Sequence, residues 1–390
     1  MQAVYISTNL IGKALDSLAL SSGEKDHFEN KYISNSFKLR GLPGSAIPVL
    51  RGLAELNKVQ VIFAKTGPRP GGETEALVSG SETDLNSLCS ALIKQGGTIG
   101  TLGETLQQAA GRAKQKPAAK LKLGSAEFEL GKRTLIMGIL NVTPDSFSDG
   151  GRFNNLENAL ACAFKMAEEG ADIIDVGGES TRPGSKQITA EEELKRVMPL
   201  ISALKKDSTF KLPLSIDTYK AEVAEKALGN GVEMLNDVWG FKEDSNIGGV
   251  ASRYNVPVCL MHNRRSTEYR DLVPDIIAEL QDSIELAHRA GITDQQIVID
   301  PGIGFGKNYE QNLETMLHLP DLCRLGYPLL LGTSRKSLIG KTLELPADER
   351  IEGTAATVAY GITAGAAIVR VHDVRQMKRV ALMTDAITRR

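Results

Sequence analysis

Residues 139–153 read ILNVTPDSFSDGGRF. They begin at the tail of an apolar run, Leu135-Ile136-Met137-Gly138-Ile139-Leu140, short enough to be a buried strand. Directly after it stand Asn141, Thr143, Asp145, Ser146, Ser148 and Asp149, broken by Pro144 and closed by Gly150-Gly151. Taken alone, this loop reads equally well as a solvated turn or as a holder of a cation or polar substrate. A polar, breaker-rich loop after a buried strand is where α/β proteins place chemistry, so the question is whether the pattern recurs.

It does. Working outward, short apolar runs fall at 134–140, 171–176, 212–216, 232–236, 256–261, 296–300, 326–331 and 366–371. Helical patterns lie between them, among them 155–169, 190–206, 220–229, 271–290 and 349–361. Eight such units over the last two thirds of the chain predict a (β/α)8 barrel at 121–390, with a doubly wound open sheet as the less regular alternative. Just before it, LKLGSAEFELGK at 121–132 reads as a hairpin turning on Gly124-Ser125. Residues 1–112 read as a small α/β domain: a helix from 46, a strand at 59–64, a second strand at 75–80 and a helix at 82–94. The loop between the two strands carries Lys65, Arg69 and Gly72, a flexible connection or an anion contact. The basic, Ala- and Pro-containing stretch 109–120 reads as the connection between the domains, with 113–120 as its core.

Composition bounds the function. The chain has 390 residues, 42% hydrophobic and 24% charged, which suits a soluble globular protein. A net charge of −2 and no basic stripe argue against a nucleic-acid partner. Four scattered cysteines without a CxxC pair read as thiols in a reducing cytoplasm. No membrane span or signal segment is expected. There is no zinc spacing, no GxSxG elbow and no Walker motif, and Gly302-Ile303-Gly304-Phe305-Gly306 has GxGxG rather than dinucleotide spacing.

The eight strand ends collect polar groups of three chemical kinds. Asp217, Asn236 and Asp300 are short acceptor side chains inside apolar strand ends, suited to a heterocycle rich in N–H groups, although each alone is also a common turn residue. Lys336, Arg370 and His372, with Arg182, are cationic and sit where barrels often bind phosphate. The third kind is the pair of Pro-containing loops after strands one and two, where Asn141 or Asp145 would suit a Mg²⁺ ion bridging phosphates.

The motifs ILNVTPDSFSDGG, IDVGGESTRPG, LSIDT, NDV, LMHNR, IDPGIGFGK, GTSRKS and RVHDV resemble, in order, the motif series of the dihydropteroate synthase family of pterin-binding barrels. The resemblance covers about residues 121–390, and the first 112 residues look like an extension found in a longer subset of that family. It implies that Asp217, Asn236, Asp300 and Lys336 bind the pterin ring, with Met261 and Phe305 packing nearby. Asn141, Arg182, Arg370 and His372 would hold a diphosphate, with Mg²⁺ at Asn141. Phe147, Ser148, Thr181, Arg182, Pro183, Phe305, Ser334 and Ser337 would shape the 4-aminobenzoate site. Catalysis would fall to Asp145, Lys336, Asp300, Arg370 and His372. The implied reaction joins 6-hydroxymethyl-7,8-dihydropterin diphosphate to 4-aminobenzoate, releasing diphosphate in folate biosynthesis, and the implied assembly is a homodimer inhibited by sulfonamides. A non-catalytic pterin-binding paralogue and a methyltetrahydrofolate–corrinoid methyltransferase domain are the competing readings, and neither needs both Pro-containing loops and the cationic group.

Overall fold

The structure is a computed structural model and describes residues 34–64, 73–114, 120–143, 152–180 and 187–389. The chain divides into two units, 1–114 and 115–390.

In the N-terminal unit, β1 (Ser34–Pro43), α1 (Ala46–Leu56), β2 (Gln60–Phe63), β3 (Glu73–Ser81), α2 (Glu82–Ile93) and α3 (Gly97–Lys114) follow in order. The sheet is antiparallel in the order β1-β3-β2. Leu39, Leu50, Val78, Leu88, Leu92 and Leu106 join the helices to it in one core. Two elements escape the sequence pattern. Strand β1 shifts register between Leu39 and Leu42, which interrupts the two-residue period expected of a strand. Helix α3 carries Gly97, Gly100, Gly103 and Gly111, which read as breakers. At Gly103 the reason is contact: a Cβ there would stand 2.8 Å from the Cys89 carbonyl oxygen, so glycine is what lets α3 press on α2. The stretch expected to be a linker is therefore helical through Lys114, and Lys120 already begins β4. The loop with Lys65, Arg69 and Gly72 lies outside the described residues.

The second unit opens with the hairpin β4 (Lys120–Leu123) and β5 (Ala126–Glu129), whose turn has Gly124 at φ +58°. Eight parallel strands follow: β6 (Leu135–Asn141), β7 (Ile173–Gly177), β8 (Leu214–Asp217), β9 (Met234–Asp237), β10 (Val258–Met261), β11 (Ile297–Asp300), β12 (Leu330–Leu331) and β13 (Ile368–Val371). They pair in the order β11-β10-β9-β8-β7-β6-β13-β12. A parallel bridge between Ile299 and Leu329 joins the two ends, so the sheet closes into a barrel. The strands start one to four residues later than the apolar runs suggest. Strand β12 is the shortest, at two residues.

The helices wrap outside: α4 (Arg152–Glu168), α5 (Ala190–Lys206), α6 (Ala221–Gly229), α7 (Ile247–Tyr254), α8 (Leu272–Arg289), α9 (Tyr309–Leu317), α10 (Leu319–Cys323), α11 (Ser337–Leu343), α12 (Ile351–Thr363) and α13 (Val374–Thr388). None of the described helices is long and apolar enough to cross a membrane.

Side chains alternate across each strand. Outward residues such as Ile136, Ile174, Ile216, Leu235, Leu260, Ile299 and Val369 pack under the helices. Inward residues at the lower level, Met137, Ile173, Met234, Cys259, Val298, Leu330 and Ile368, fill the barrel's lower half with one another, and Leu121 and Leu123 of the hairpin close it from below. Two carboxylates latch this end. Asp172 accepts from both terminal nitrogens of Arg133 at 2.7–2.8 Å and from Ile136 N at 2.9 Å. Asp385 accepts from Thr134 N and its hydroxyl at 2.7–2.8 Å, tying α13 to β6.

Replacing Asp172 by Ala strands the buried Ile136 N–H and the Arg133 guanidinium, at a cost of about 2 kcal/mol. Trp239, the chain's one tryptophan, lies in the barrel and reports its unfolding. We expect its fluorescence midpoint in urea to fall for Asp172→Ala, whereas Lys195→Ala, which removes an exposed pair on α5, leaves it unchanged.

Candidate active site

The alternation that fills the lower barrel with hydrocarbon puts polar groups inward at the upper level. Asn141, Asp217, Asn236, Met261, Asp300, Gly332, Arg370 and His372 are the inward or terminal residues of their strands, and all line one cavity of about 480 Å³ at the C-terminal mouth. Phe305, Ser334, Lys336 and Ser337 reach it from the loops after β11 and β12. Every candidate residue within the described stretches therefore meets the same space. Asp145, Phe147, Ser148, Thr181, Arg182 and Pro183 lie outside the described residues.

The floor is a charge sandwich. Arg370 donates from Nε to Asp175 Oδ2 and from a terminal nitrogen to Asp217 Oδ2, both at 2.6 Å. Asn236 Nδ2 donates to the same Asp175 oxygen at 3.0 Å. Asp217 Oδ1 is buried and has no partner among the described residues. Burial pushes the Asp217 carboxyl up to about 7 against the pull of Arg370. Arg370 itself is held firmly charged by its two carboxylates. The pattern of residue types places Arg370 with the anion-binding group, and in the structure two of its five N–H groups are held by the carboxylates of the floor. The cause is plain: a guanidinium this enclosed needs counter-charge, and β7 and β8 supply it across the barrel mouth.

A second wall comes from residues 301–307. Gly302, Gly304 and Gly306 all have positive φ, at +66°, +86° and +55°. At Gly302 a Cβ would stand 1.9 Å from the His262 carbonyl oxygen, so no other residue fits that turn. The turn lets Asp300 Oδ1 accept from Gly302 N at 2.7 Å, which anchors one oxygen. Two ammonium groups then grip the loop. Lys307 donates to the carbonyls of Pro301, Gly302 and Phe305 at 2.9–3.2 Å. It also meets His262 Nδ1 at 2.9 Å, and burial holds His262 down at about 4, so the ring is neutral and accepts. Lys336 donates to the Ile303 carbonyl at 2.5 Å and lies 4.7 Å above the Phe305 ring. Burial lowers the Lys336 ammonium to about 8, with Asp300 opposing.

The third wall is the loop after β12. Ser334 Oγ accepts from His372 N at 3.1 Å and meets His372 Nδ1 at 3.0 Å. The turn is made by Arg335 at φ +57°, whose guanidinium is held by both Asp373 oxygens. Arg350 braces the turn by donating to the Arg335 carbonyl at 2.9 Å.

Sequence pattern misses Asp175, which hides in the apolar run 171–176. It misses Glu179 and Arg350 too, which line the cavity from the start of the loop after β7 and from the start of α12. The readable signal for Asp175 is a lone carboxylate in a strand otherwise buried on both sides.

The pterin binding enzyme family matches residues 137–372. A dihydropteroate synthase of Clostridium beijerinckii is 58% identical over 271 residues, 69% of this chain and 100% of the relative. The chain belongs to the dihydropteroate synthase family. Among solved structures, a family member from Clostridium difficile determined in the presence of pteroic acid is 55% identical, with TM-score 0.66 over 67% of this chain and 100% of that one. A Xanthomonas albilineans dihydropteroate synthase with 4-aminobenzoic acid is 40% identical, with TM-score 0.66 over 69% of this chain and 98% of that one. The N-terminal unit lies outside the family's matched span.

The tightest steric demand in the site is at Gly302. Gly302→Ala should cost at least about a hundredfold in turnover or lower the melting temperature by several degrees, since either the turn or the His262 backbone must move. Gly249→Ala, which meets open space, is the control. Enzyme assay and thermal melting of the two variants check this.

Proposed function

We propose that the cavity holds the dihydropterin ring on its acceptor floor and expels diphosphate past Asn141, Ser334 and His372 before 4-aminobenzoate attacks. The chain is a transferase of folate biosynthesis, condensing 6-hydroxymethyl-7,8-dihydropterin diphosphate with 4-aminobenzoate to 7,8-dihydropteroate, and its substrates are small molecules. The observation that carries the site reading is the buried, unpartnered Oδ1 of Asp217, a residue that lines the same cavity as Asn236, Asp300 and Lys336. Such a floor is stable only when N–H groups cover it.

In this reading Asp217, the Asn236 amide oxygen and the free oxygen of Asp300 accept from the ring and its amino group, and Lys336 donates to a ring acceptor. Met261 and Phe305 pack on the ring. The C–O bond to diphosphate breaks first, and the cation left on the pterin methylene is stabilised by the nearby carboxylates. Asp145 would add negative charge beside it. The neutral aromatic amine then forms the C–N bond and loses its proton. Arg182, His372 and the remaining donors of Arg370 would meet charge on the leaving group. Phe147, Ser148, Thr181, Pro183 and Ser337 would border the 4-aminobenzoate.

The donor set suits a Mg²⁺ ion that arrives with the diphosphate. Asn141 offers one amide oxygen, and no group of three or more His, Cys, Asp or Glu able to hold an ion exists among the described residues. Mg²⁺, when bound, would neutralise charge on phosphate oxygens, for which one or two protein oxygens suffice. Large exposed hydrophobics on the last two helices, Tyr360, Leu382, Met383 and Ile387, support a homodimer through that face. The four free cysteines support a reducing, cytoplasmic setting.

Purified protein given both substrates and Mg²⁺ should release diphosphate only when the aromatic amine is present, and Lys336→Ala should reduce kcat/KM at least about a hundredfold. Release by the variant at the parent rate, or binding without release by the parent, refutes the reading. Asp145→Ala should lower kcat with the pterin KM little changed. The pH profile has two signs. Protonation removes the negative charge that strengthens the bonds of Asp217 to ring N–H groups, so kcat/KM falls as pH drops below about 7. Lys336 donates and carries charge only when protonated, so kcat/KM falls as pH rises above about 8. A narrow bell between those limits is expected, and Lys336→Arg should extend its alkaline side.

A further inference from the structure

We propose that Asp175 is a positioning residue that dictates which atoms Asn236 and Arg370 present to the pterin, and that sets the charge of Asp217. The proposal rests on the pterin reading of the floor. Asp175 is fully buried in the middle of β7, one inward position below Gly177, and does not itself line the cavity. Its contacts are with residues that do.

The argument for Asn236 is one of donor inventory. Asp175 Oδ2 takes the Arg370 Nε–H at 2.6 Å and so meets its neighbours as an acceptor. The Asn236 atom 3.0 Å from the same oxygen must then be the NH₂, so the amide oxygen faces the cavity. An amide in isolation presents either face; held by Asp175 it presents an acceptor. Arg370 is fixed in the same way. With Nε on Asp175 and a terminal nitrogen on Asp217, its plane cannot rotate, and only the remaining edge meets the ligand. Asp175 keeps Oδ1 buried with no partner among the described residues, a cost that a merely structural carboxylate would not need to carry.

The charge argument concerns Asp217. It faces Arg370 on β13, Asp175 on β7, Asp237 on β9, Glu193 on α5 and Lys336 from the loop after β12. Burial raises its carboxyl most, Arg370 lowers it, and the charge of Asp175 raises it again. Without the Asp175 charge, Arg370 would serve Asp217 alone, and Asp217 would ionise at lower pH.

The test is Asp175→Asn, read by steady-state kinetics of both substrates across pH and by calorimetry with 6-hydroxymethyl-7,8-dihydropterin, which carries no diphosphate. We expect the pterin KM and Kd to rise on the order of tenfold or more, the 4-aminobenzoate KM to stay within about twofold, and the acid limb of kcat/KM to move about one unit lower. A folded variant with an unmoved acid limb and an unchanged pterin Kd overturns the proposal. So does an equal loss for both substrates with the limb in place, which is what simple loosening of the barrel gives. Asn236→Asp supplies a second readout if the first variant does not fold. At about pH 6 its carboxyl can donate a proton to Asp175 and still present an oxygen, so pterin binding persists; by about pH 8 the two carboxylates repel and binding falls at least about tenfold. Binding of that variant that is indifferent to pH overturns the proposal. If the parent binds dihydropterin but never releases diphosphate, the catalytic reading fails while these binding outcomes still judge Asp175.

Discussion

A guanidinium held between two buried carboxylates is the interaction on which the rest of this barrel's upper half depends. Arg370 comes from the last strand, Asp217 and Asp175 from the third and second, so the contact spans 153 and 195 residues of sequence. None of the three groups tolerates this depth alone. A buried ion without a partner costs several kcal/mol, and removing one partner exposes the others to that cost. The trio carries one surplus negative charge when both acids are ionised. Burial above all, with the Asp175 charge adding to it, pushes Asp217 toward neutrality against the pull of Arg370, and one of its oxygens has no partner among the described residues. The site is therefore poised to take a hydrogen-bond donor, and its polar floor is completed by substrate rather than by the chain.

The loop after β11 shows how backbone geometry serves the same end. Three glycines at positive φ allow a turn tight enough to return its carbonyls toward two lysines. Lys307, with its ammonium lowered to about 7 by burial, is spent entirely on carbonyls and His262. Lys336 uses one N–H on the loop and keeps the rest for the cavity. Two residues of the same type, both buried, thus divide into a brace and a ligand contact, and only the direction of approach separates them.

The hydrophobic side of the design is equally specific. The lower barrel is filled by Met137, Ile173, Met234, Cys259, Val298, Leu330 and Ile368 and sealed by the hairpin leucines. This rigid plug lets the inward positions above it be polar, because the strands are already held in register beneath the mouth. The N-terminal unit is built on a separate core, with its own sheet and helices, and shares none of this chemistry.

Much of this was legible in the chain itself. Apolar runs alternating with amphipathic segments identify eight βα units, and the polar residues closing each run mark the functional end. The motif series resembles that of the family to which the chain belongs. What the sequence could not rank was depth. Asp175 and Asp217 look alike in one dimension, and only the strand register shows one touching ligand space and the other supporting it from below. Arg370 reads as a cation of the site, and only the fold shows the two carboxylates set against it. Strand β1 and helix α3 were hidden for a related reason: a register shift and a run of glycines look like irregularity until the neighbour that requires them is in place. Local pattern determined the elements, the domain order and the chemical inventory, because period and turn chemistry act over a few residues. Tertiary structure decided which groups are paired and which are left open to substrate, because pairing is a matter of distance between residues that the chain keeps far apart.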